Sequence, residues 1–388
     1  MRYLALAATF LAVTTVGPLA DTSVSDLYLY NSVAELIAAG HLPYLDFEFE
    51  YPPLAAVPLY LADVPGGGAD GYAWAFGALM LGCALALQRF TDALAGPRAA
   101  WLLVLLPVAI GASLRTHYDL LPAALVAGAL ALFARARHVA GFAVLGIGTV
   151  TKLYPALLVP VAAAWLLGRG EGRTALRGCA VFAAVVVAVS LPFLGDGYAE
   201  QVRFHLERPV QIESTPASVL FAVGESDVTG DPIRHDRFKS NGLEGGAAGE
   251  VQLAFALLLV ATLLLVVALA ARGRDVEHLV LGAFAAVLAF VALGKVLSPQ
   301  FMIWLAPFVA VCAAWRVWWP AALCAGAFAL TLIEFPGRYF DLVHEENGTV
   351  LLVGVRNALL VAALIATLVA LARSSRPGAA GSSAPAPP

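Results

Sequence analysis

Residues 251–294 read VQLAFALLLVATLLLVVALAARGRDVEHLVLGAFAAVLAFVALG. The stretch 251–271 carries no charge. At 1.5 Å per residue it is long enough to cross a hydrocarbon core of about 30 Å. Arg272-Gly273-Arg274-Asp275 interrupts it, and a second apolar run, 276–294, follows at once. An apolar run, a short basic loop and a returning apolar run form a membrane hairpin, because only a helix can satisfy its own backbone inside lipid.

The same pattern extends outward over the chain. Of its 388 residues, 61% are hydrophobic and 13% charged. A soluble domain has roughly 45–50% apolar and about 25% charged residues. A soluble core of that size would leave too little polar surface to cover it. Soluble enzymes, nucleic-acid binders and disordered chains are therefore excluded. Spans are expected near 3–20, 71–88, 99–114, 118–134, 138–150, 153–168, 174–194, 251–271, 276–294, 300–314, 317–333 and 350–372. Short runs such as 138–150 bring the expected number to about 10–12. The run 3–20 is longer than a usual signal-peptide core and lacks a small-x-small ending, so it reads as a retained first helix. The expectation is an all-α polytopic membrane protein with one transmembrane domain over 1–373, and a Ser/Pro/Ala/Gly-rich disordered tail over 374–388.

Lys and Arg set sidedness. With the N-terminus inside, the inner segments hold Arg2, Arg89, Arg98, Arg135, Arg137, Arg169, Arg173, Arg177, Arg272, Arg274, Arg316, Arg373 and Arg376. The outer helix ends hold only Arg115, Lys152, Lys295, Arg338 and Arg356. Both termini are expected to be cytoplasmic. The formal charge of −4 then conceals a polarised molecule. Thirteen Lys/Arg against four Asp/Glu (Asp92, Glu171, Asp275, Glu277) give +9 inside, and ten against 23 give −13 outside. Scarce Lys beside Arg, with abundant Ala, reads as a high-GC bacterial codon bias. The membrane is accordingly taken as a bacterial plasma membrane.

Two outer segments are long, 21–70 and 195–250. In the first, Leu27, Tyr30, Val33, Ala34, Ile37 and Ala38 follow helical spacing, as in a helix lying on the membrane surface. Tyr51-Pro52-Pro53-Leu54 opens a half-span running to about Val64, since prolines are tolerated where a helix starts. In the second, the Gly-rich and charged stretch 224–250 is read as a mobile lid on the acceptor side. Polar groups gather at the outer ends of spans: Asp21 and Asp26, Arg115-Thr116-His117-Tyr118-Asp119, Thr151-Lys152-Leu153-Tyr154-Pro155, Lys295-Val296-Leu297-Ser298-Pro299-Gln300, and Arg356-Asn357. Ionisable groups at membrane depth are costly and mark functional sites. Cations and carboxylates at one depth suit an anionic lipid headgroup beside a general base. Cys83, Cys179, Cys312 and Cys324 lie in apolar runs without metal spacing, and His344-Glu345-Glu346-Asn347-Gly348 is no zinc motif. No metal and no cofactor are expected.

Ser25-Asp26-Leu27-Tyr28-Leu29-Tyr30 resembles the first-loop motif of the C-superfamily (GT-C) of membrane glycosyltransferases. The run Gly40-x-x-Pro43-Tyr44-x-Asp46-Phe47-x-Phe49-Glu50-Tyr51-Pro52-Pro53-Leu54 resembles its family 87, the polyprenyl-phosphate-mannose-dependent mannosyltransferases. Thr151–Pro155, Ser298-Pro299-Gln300-Phe301 and Arg208-Pro209-Val210-Gln211-Ile212-Glu213-Ser214 are similar to the same family, so the likeness runs from about residue 20 to 310. The resemblance implies a GT-C-type helix bundle. It implies transfer of a sugar, with inversion, from a polyprenyl-phosphate donor to a lipid-linked or cell-envelope glycan on the outer face. It implies an Asp base, which maps onto Asp26, and no nucleotide sugar.

The residues fit that chemistry. The acceptor hydroxyl must lose a proton as it attacks, and a carboxylate within about 3 Å accepts it. The leaving phosphate needs fixed donors, and Lys295, Arg356, Lys152 and Arg115 are the candidates. Glu50, Asp46, Tyr51, His117, Gln300, Arg208 and Glu213 are candidate sugar or acceptor contacts. Structural alternatives stand beside them. Asp26 is also a good helix cap, and Asp21 a chain end to the first span. Arg115 can pair with Asp119 four residues on. Lys152 and Arg356 can snorkel to headgroups, and Trp304 can anchor at the interface. The rival function is a transporter or flippase for a lipid-linked sugar. Against it, the two halves lack matching interruptions, and the polar groups gather at one face instead of the midplane.

Overall fold

The computed structural model describes residues 1–224, 227–229, 238 and 240–374. Twelve apolar helices account for most of them. Five are long and apolar enough to cross a membrane: Gly68–Ala95, Gly172–Phe193, Ala248–Ala270, Val276–Leu293 and Asn347–Ser374. Seven are shorter: Arg2–Thr15, Pro97–Ile110, Leu120–Ala134, His138–Thr149, Tyr154–Gly168, Pro299–Ala314 and Trp318–Glu334. Each overlaps one expected span. The ends differ where the backbone demands it. The first helix stops at Thr15, before Gly17 at φ +86°, and Pro97–Ile110 stops before Gly111 at φ +70°. A left-handed φ of this kind ends a helix and favours glycine.

Hydropathy does not rank the helices by position. Of the residues of Val276–Leu293, 83% are buried inside the protein, whereas in the most apolar 18 residues of Gly172–Phe193 and of Ala248–Ala270 the shares are 11% and 17%. The two arms of the 251–294 hairpin are thus a lipid-facing strut and a central post. Phe284 of the post stacks on Phe308 of Pro299–Ala314, ring centroids 5.3 Å apart.

The first outer segment is a helix, Leu27–Ala38, followed by a turn and the eight-residue helix Ala56–Asp63. Tyr30, Val33 and Ala34 are buried, as their spacing predicts. Their partners are not lipid, however. Tyr30 packs on Phe76, Tyr118 and Tyr51 with centroids 5.5–6.0 Å apart, so this face lies against the bundle and not on the membrane surface. The half-span rises only about 12 Å, too little to cross.

The second outer segment contains helices Asp196–Glu207 and Thr215–Val223 and a small antiparallel sheet. Its strand Gly242–Glu244 lies between Val210–Gln211 and Asp227–Thr229. Val210 and Leu243 face each other and share a second core with Ile212, Leu220, Leu342 and Val353. Gly197 lies against the Tyr44 carbonyl with no room for a Cβ, which brings the two outer segments together. Residues 225–226, 230–237 and 239, within the expected mobile stretch 224–250, lie outside the described residues. So does the expected disordered tail beyond Ser374.

Candidate functional site

Prolines organise the site. Pro53, Pro155 and Pro299 each occupy the first turn of a 3₁₀ segment that opens a helix. Proline lacks an N–H that would be unsatisfied there anyway, and its φ suits a helix start. YPPL, TKLYP and SPQ are therefore three helix starts, and they are joined at one end of the bundle. The Leu54 N–H donates to the Val150 carbonyl at 2.8 Å. The Gln211 N–H donates to the Lys295 carbonyl at 2.9 Å, and its side-chain amide reaches Ser298 Oγ at 3.1 Å.

Asp119 is fully buried at the start of Leu120–Ala134. Its Oδ1 accepts from Lys152 Nζ and from Trp304 Nε1, both at 2.6 Å. The Lys152 ammonium also lies over the rings of Tyr118 (4.5 Å) and Trp304 (5.4 Å). Trp304 is stacked between Tyr154 and Phe301, at 4.2 and 3.9 Å. Two sequence expectations are corrected here. Asp119 pairs with Lys152 and not with Arg115, and Trp304 is 2% exposed, a buried donor instead of an interface anchor.

Tyr118 continues this wall toward Tyr30 and Tyr51, with centroids at 5.8 and 5.3 Å. Tyr30 donates its hydroxyl to Asp26 Oδ2 at 3.1 Å. His117 Nε2 lies 3.6 Å from the same oxygen, and its Nδ1 is 3.0 Å from Thr116 Oγ1. Asp26 precedes Leu27–Ala38 but makes no side-chain cap hydrogen bond. Its side chain remains 35% exposed, so it is held from one side and open on the other. Glu50 lies within electrostatic reach of the Tyr51 hydroxyl, and both Glu50 and Asp26 lie within electrostatic reach of Arg208. Arg208 donates to Ser240 Oγ at 2.6 Å, while its Nε has no partner among the described residues. Burial lowers its pKa, and Glu50 and Asp26 oppose that shift. His205, 3.2 Å from the Glu50 carbonyl, is likewise pushed down by burial.

The remaining candidates stand elsewhere. Lys295 Nζ donates to the carbonyls of Leu206 (2.8 Å) and Arg208 (2.7 Å), fastening the second outer segment. Arg356 is fully buried and donates to the Glu213 carbonyl and to Asn357 Oδ1 (3.1 Å). Its Nη1 lies 3.7 Å from Glu334 and 4.0 Å from Glu213. Arg115 lies over the Trp74 ring at 5.9 Å. Asp46 accepts from the Leu42 N–H at 2.7 Å and shapes its own exposed turn, and Asp21 does the same for Ser23 at 2.9 Å. Gln300 is half-buried in the Pro299–Phe301 turn. Sequence reasoning overlooked Tyr30, Tyr118 and Glu334 and gave Asp119 only a local role. The available signal was an Asp and a Lys at two helix starts on one side. Among the described residues no three His, Cys, Asp or Glu side chains are grouped to hold a metal.

Replacing Lys152 by Met strands a buried carboxylate, which costs about 3–5 kcal/mol. We expect the melting temperature in detergent to fall sharply for K152M and to recover most of the loss in K152M/D119N; equal melting of both would exclude the pair as a support. A second dependence concerns Glu213. Burial, with Glu334 nearby, pushes its carboxyl well above the ordinary value of 4.5, against the pull of Arg356. A raised folded pKa stabilises below the unfolded value and loses that contribution as pH climbs through the folded one. Stability should therefore decline as pH rises above about 4.5, and E213Q should flatten the slope. Parallel melting profiles of wild type and E213Q would overturn this.

The family model described as glycosyltransferase family 87 matches residues 49–299. The chain is also similar to the crystal structure of ArnT from Cupriavidus metallidurans bound to undecaprenyl phosphate. The identity is 17% and the TM-score 0.49, over 96% of this chain and 76% of that one. The apo state of the same protein gives 16% and 0.46 over the same shares. No curated protein matches. With its sequence matched from Phe49 to Pro299, well over half its length, the chain belongs to glycosyltransferase family 87.

Proposed function

We propose that this membrane glycosyltransferase moves mannose, with inversion, from a polyprenyl-phosphate donor to a lipid-linked or cell-envelope glycan. The observation that carries the reading is the Asp26 carboxylate, part exposed, held by Tyr30 and His117 and within electrostatic reach of Arg208. In the proposed step Asp26 takes the acceptor hydroxyl proton while that oxygen bonds to the anomeric carbon. The bond from that carbon to the phosphate oxygen breaks, and the departing polyprenyl phosphate carries the electron pair away. A guanidinium suits that charge because its planar fork matches phosphate oxygens. Arg208 is the better-placed cation, since Lys295 and Arg356 already serve carbonyl groups. Glu50 and Tyr51 are placed in the same reading beside the sugar hydroxyls. The transport alternative is set aside by family membership.

The assay is transfer of radiolabelled mannose from polyprenyl-phosphate mannose in membranes containing the full chain. D26N should lose at least about a hundredfold in rate, within the usual range for a general base, with its melting temperature unchanged. Transfer at wild-type rate by D26N would end the base assignment. Polyprenyl-phosphate glucose or arabinose used equally well would end the mannose assignment.

The site is proposed to face the outer side of a bacterial plasma membrane, with both termini cytoplasmic. The Lys/Arg excess in the segments holding Arg135, Arg137, Arg169 and Arg173 supports this. A membrane-impermeant maleimide applied to intact cells should label E48C and spare R173C. The opposite pattern would invert the topology and move the site inside.

A further inference from the structure

His117 stands between two helices, and its backbone is set from both sides. Its N–H donates to the Ser113 carbonyl at 3.2 Å, closing the short helix Ser113–Thr116. Two residues on, Asp119 is clamped by Lys152 and Trp304 at 2.6 Å each. The His117 side chain is buried, and its two ring nitrogens meet different groups. Nδ1 lies 3.0 Å from Thr116 Oγ1. The Thr116 hydroxyl donates to the Ala112 carbonyl at 3.2 Å, one turn back, as helical threonines often do. With its hydrogen committed there, Thr116 meets Nδ1 as an acceptor, so the ring proton sits on Nδ1 and Nε2 is a bare lone pair.

That lone pair faces Asp26 Oδ2 at 3.6 Å. Two acceptors at this separation make no hydrogen bond. One proton between them would create a charge-assisted bond. Tyr30 also donates to Oδ2, at 3.1 Å, so among the described residues Oδ1 is left to meet the acceptor hydroxyl. A histidine serving only to pack has its buried nitrogens satisfied, whereas this one turns a bare nitrogen to the carboxylate read as the base. The other charged or titratable groups around the pair are Tyr30, Glu50, Tyr51, Tyr118, His205 and Arg208. Burial pushes the Tyr30 and Tyr51 hydroxyls up and His205 down. Glu50 and Arg208 are of opposite sign, and Asp119 beyond them is met by Lys152.

Resting on the reading of Asp26 as the base, we propose that His117 carries the reaction's proton away: Asp26 receives it from the acceptor hydroxyl and passes it to His117 Nε2. The acceptor O–H bond breaks and an Asp26 O–H bond forms while the acceptor oxygen attacks. A half-turn of the carboxyl brings that hydrogen to Nε2. The Asp26 O–H bond then breaks, the nitrogen lone pair forms the new N–H bond, and Asp26 is a carboxylate again. Imidazole as a class holds a proton more tightly than carboxylate does, so transfer runs in this direction. The imidazolium offsets the charge of the departing phosphate and later gives its proton to water. His117 touches no substrate atom in this step; it positions Asp26 and relieves it of the proton.

The test is the pH profile of sugar transfer by the full chain in membranes, with whichever of polyprenyl-phosphate mannose, glucose or arabinose the wild type uses. H117Q keeps a polar amide at this position but cannot take a proton. Its kcat should fall about a hundredfold, the low end for proton-transfer groups, with the donor KM and the melting temperature unchanged. The wild-type rate should fall on the acid side as solvent protonates His117. That limb should move to lower pH in H117Q and stay in place in H205Q. Imidazole in the buffer should restore transfer to H117A and not to D26N. T116V, which frees the other tautomer, should lose part of the rate, and T116S should regain it. An H117Q enzyme with wild-type kcat and acid limb overturns the proposal. So does an H117A enzyme that loses rate and melting temperature together without imidazole rescue. Should H117Q fail to fold, Thr116 decides, and T116V at the full wild-type rate overturns the relay. Wild-type transfer by D26N removes the base reading itself, whereas an inactive D26N beside a fully active H117Q removes only the relay.

Discussion

Asp119 sits without solvent exposure at the start of Leu120–Ala134, and its charge must be met inside the protein. An uncompensated carboxylate there would cost several kcal/mol. Lys152 and Trp304 meet it at 2.6 Å each, from two other helix starts. Three elements distant in sequence are thereby held at one point. The aromatic wall follows from that point: Trp304 takes its place between Tyr154 and Phe301, and Tyr118 under the Lys152 ammonium. Tyr118 supports Tyr30, and Tyr30 holds Asp26. The exposed carboxylate thus inherits its position from the buried one.

A second polar knot secures the other outer segment. Arg356 is enclosed by Glu213, Glu334 and Asn357, and Asn357 also donates to the Glu213 carbonyl at 3.1 Å. Lys295 fixes the stretch just before it. Arg208 lies within electrostatic reach of Glu50, Tyr51, Tyr339 and Asp26. Cations that look alike in sequence therefore divide by task. Lys295 and Arg356 donate to carbonyl oxygens and hold the scaffold, whereas Arg208 keeps an unpartnered Nε among the described residues.

Much of this was legible in particular residues. Apolar length located the twelve helices, because a lipid-crossing segment has no other way to satisfy its backbone. The proline motifs located helix starts, and Asp26 with its helix was visible from the spacing of Tyr30, Val33 and Ala34. Asp119 and Trp304 were read as local features, one as a partner for Arg115 and the other as an interface anchor. Both readings used neighbours in sequence, whereas their true partners are 33 and 185 residues away. Lys295 and Arg356 looked like free charges because carbonyl acceptors leave no trace in a sequence. The apolar stripe of Leu27–Ala38 was correct, yet a stripe does not say whether lipid or protein covers it.

That last ambiguity is general to the chain. The sequence alone determined that it is a predominantly helical membrane protein, where its helices run, and which end of each carries polar groups. Tertiary structure alone decided which helices are central. Val276–Leu293 and Ala248–Ala270 are apolar all round, yet one is buried in protein and the other is not. Lipid tails are as apolar as a protein core, so hydropathy cannot separate the two environments. Packing decides it, together with a few buried charges whose cost forces distant helices to meet.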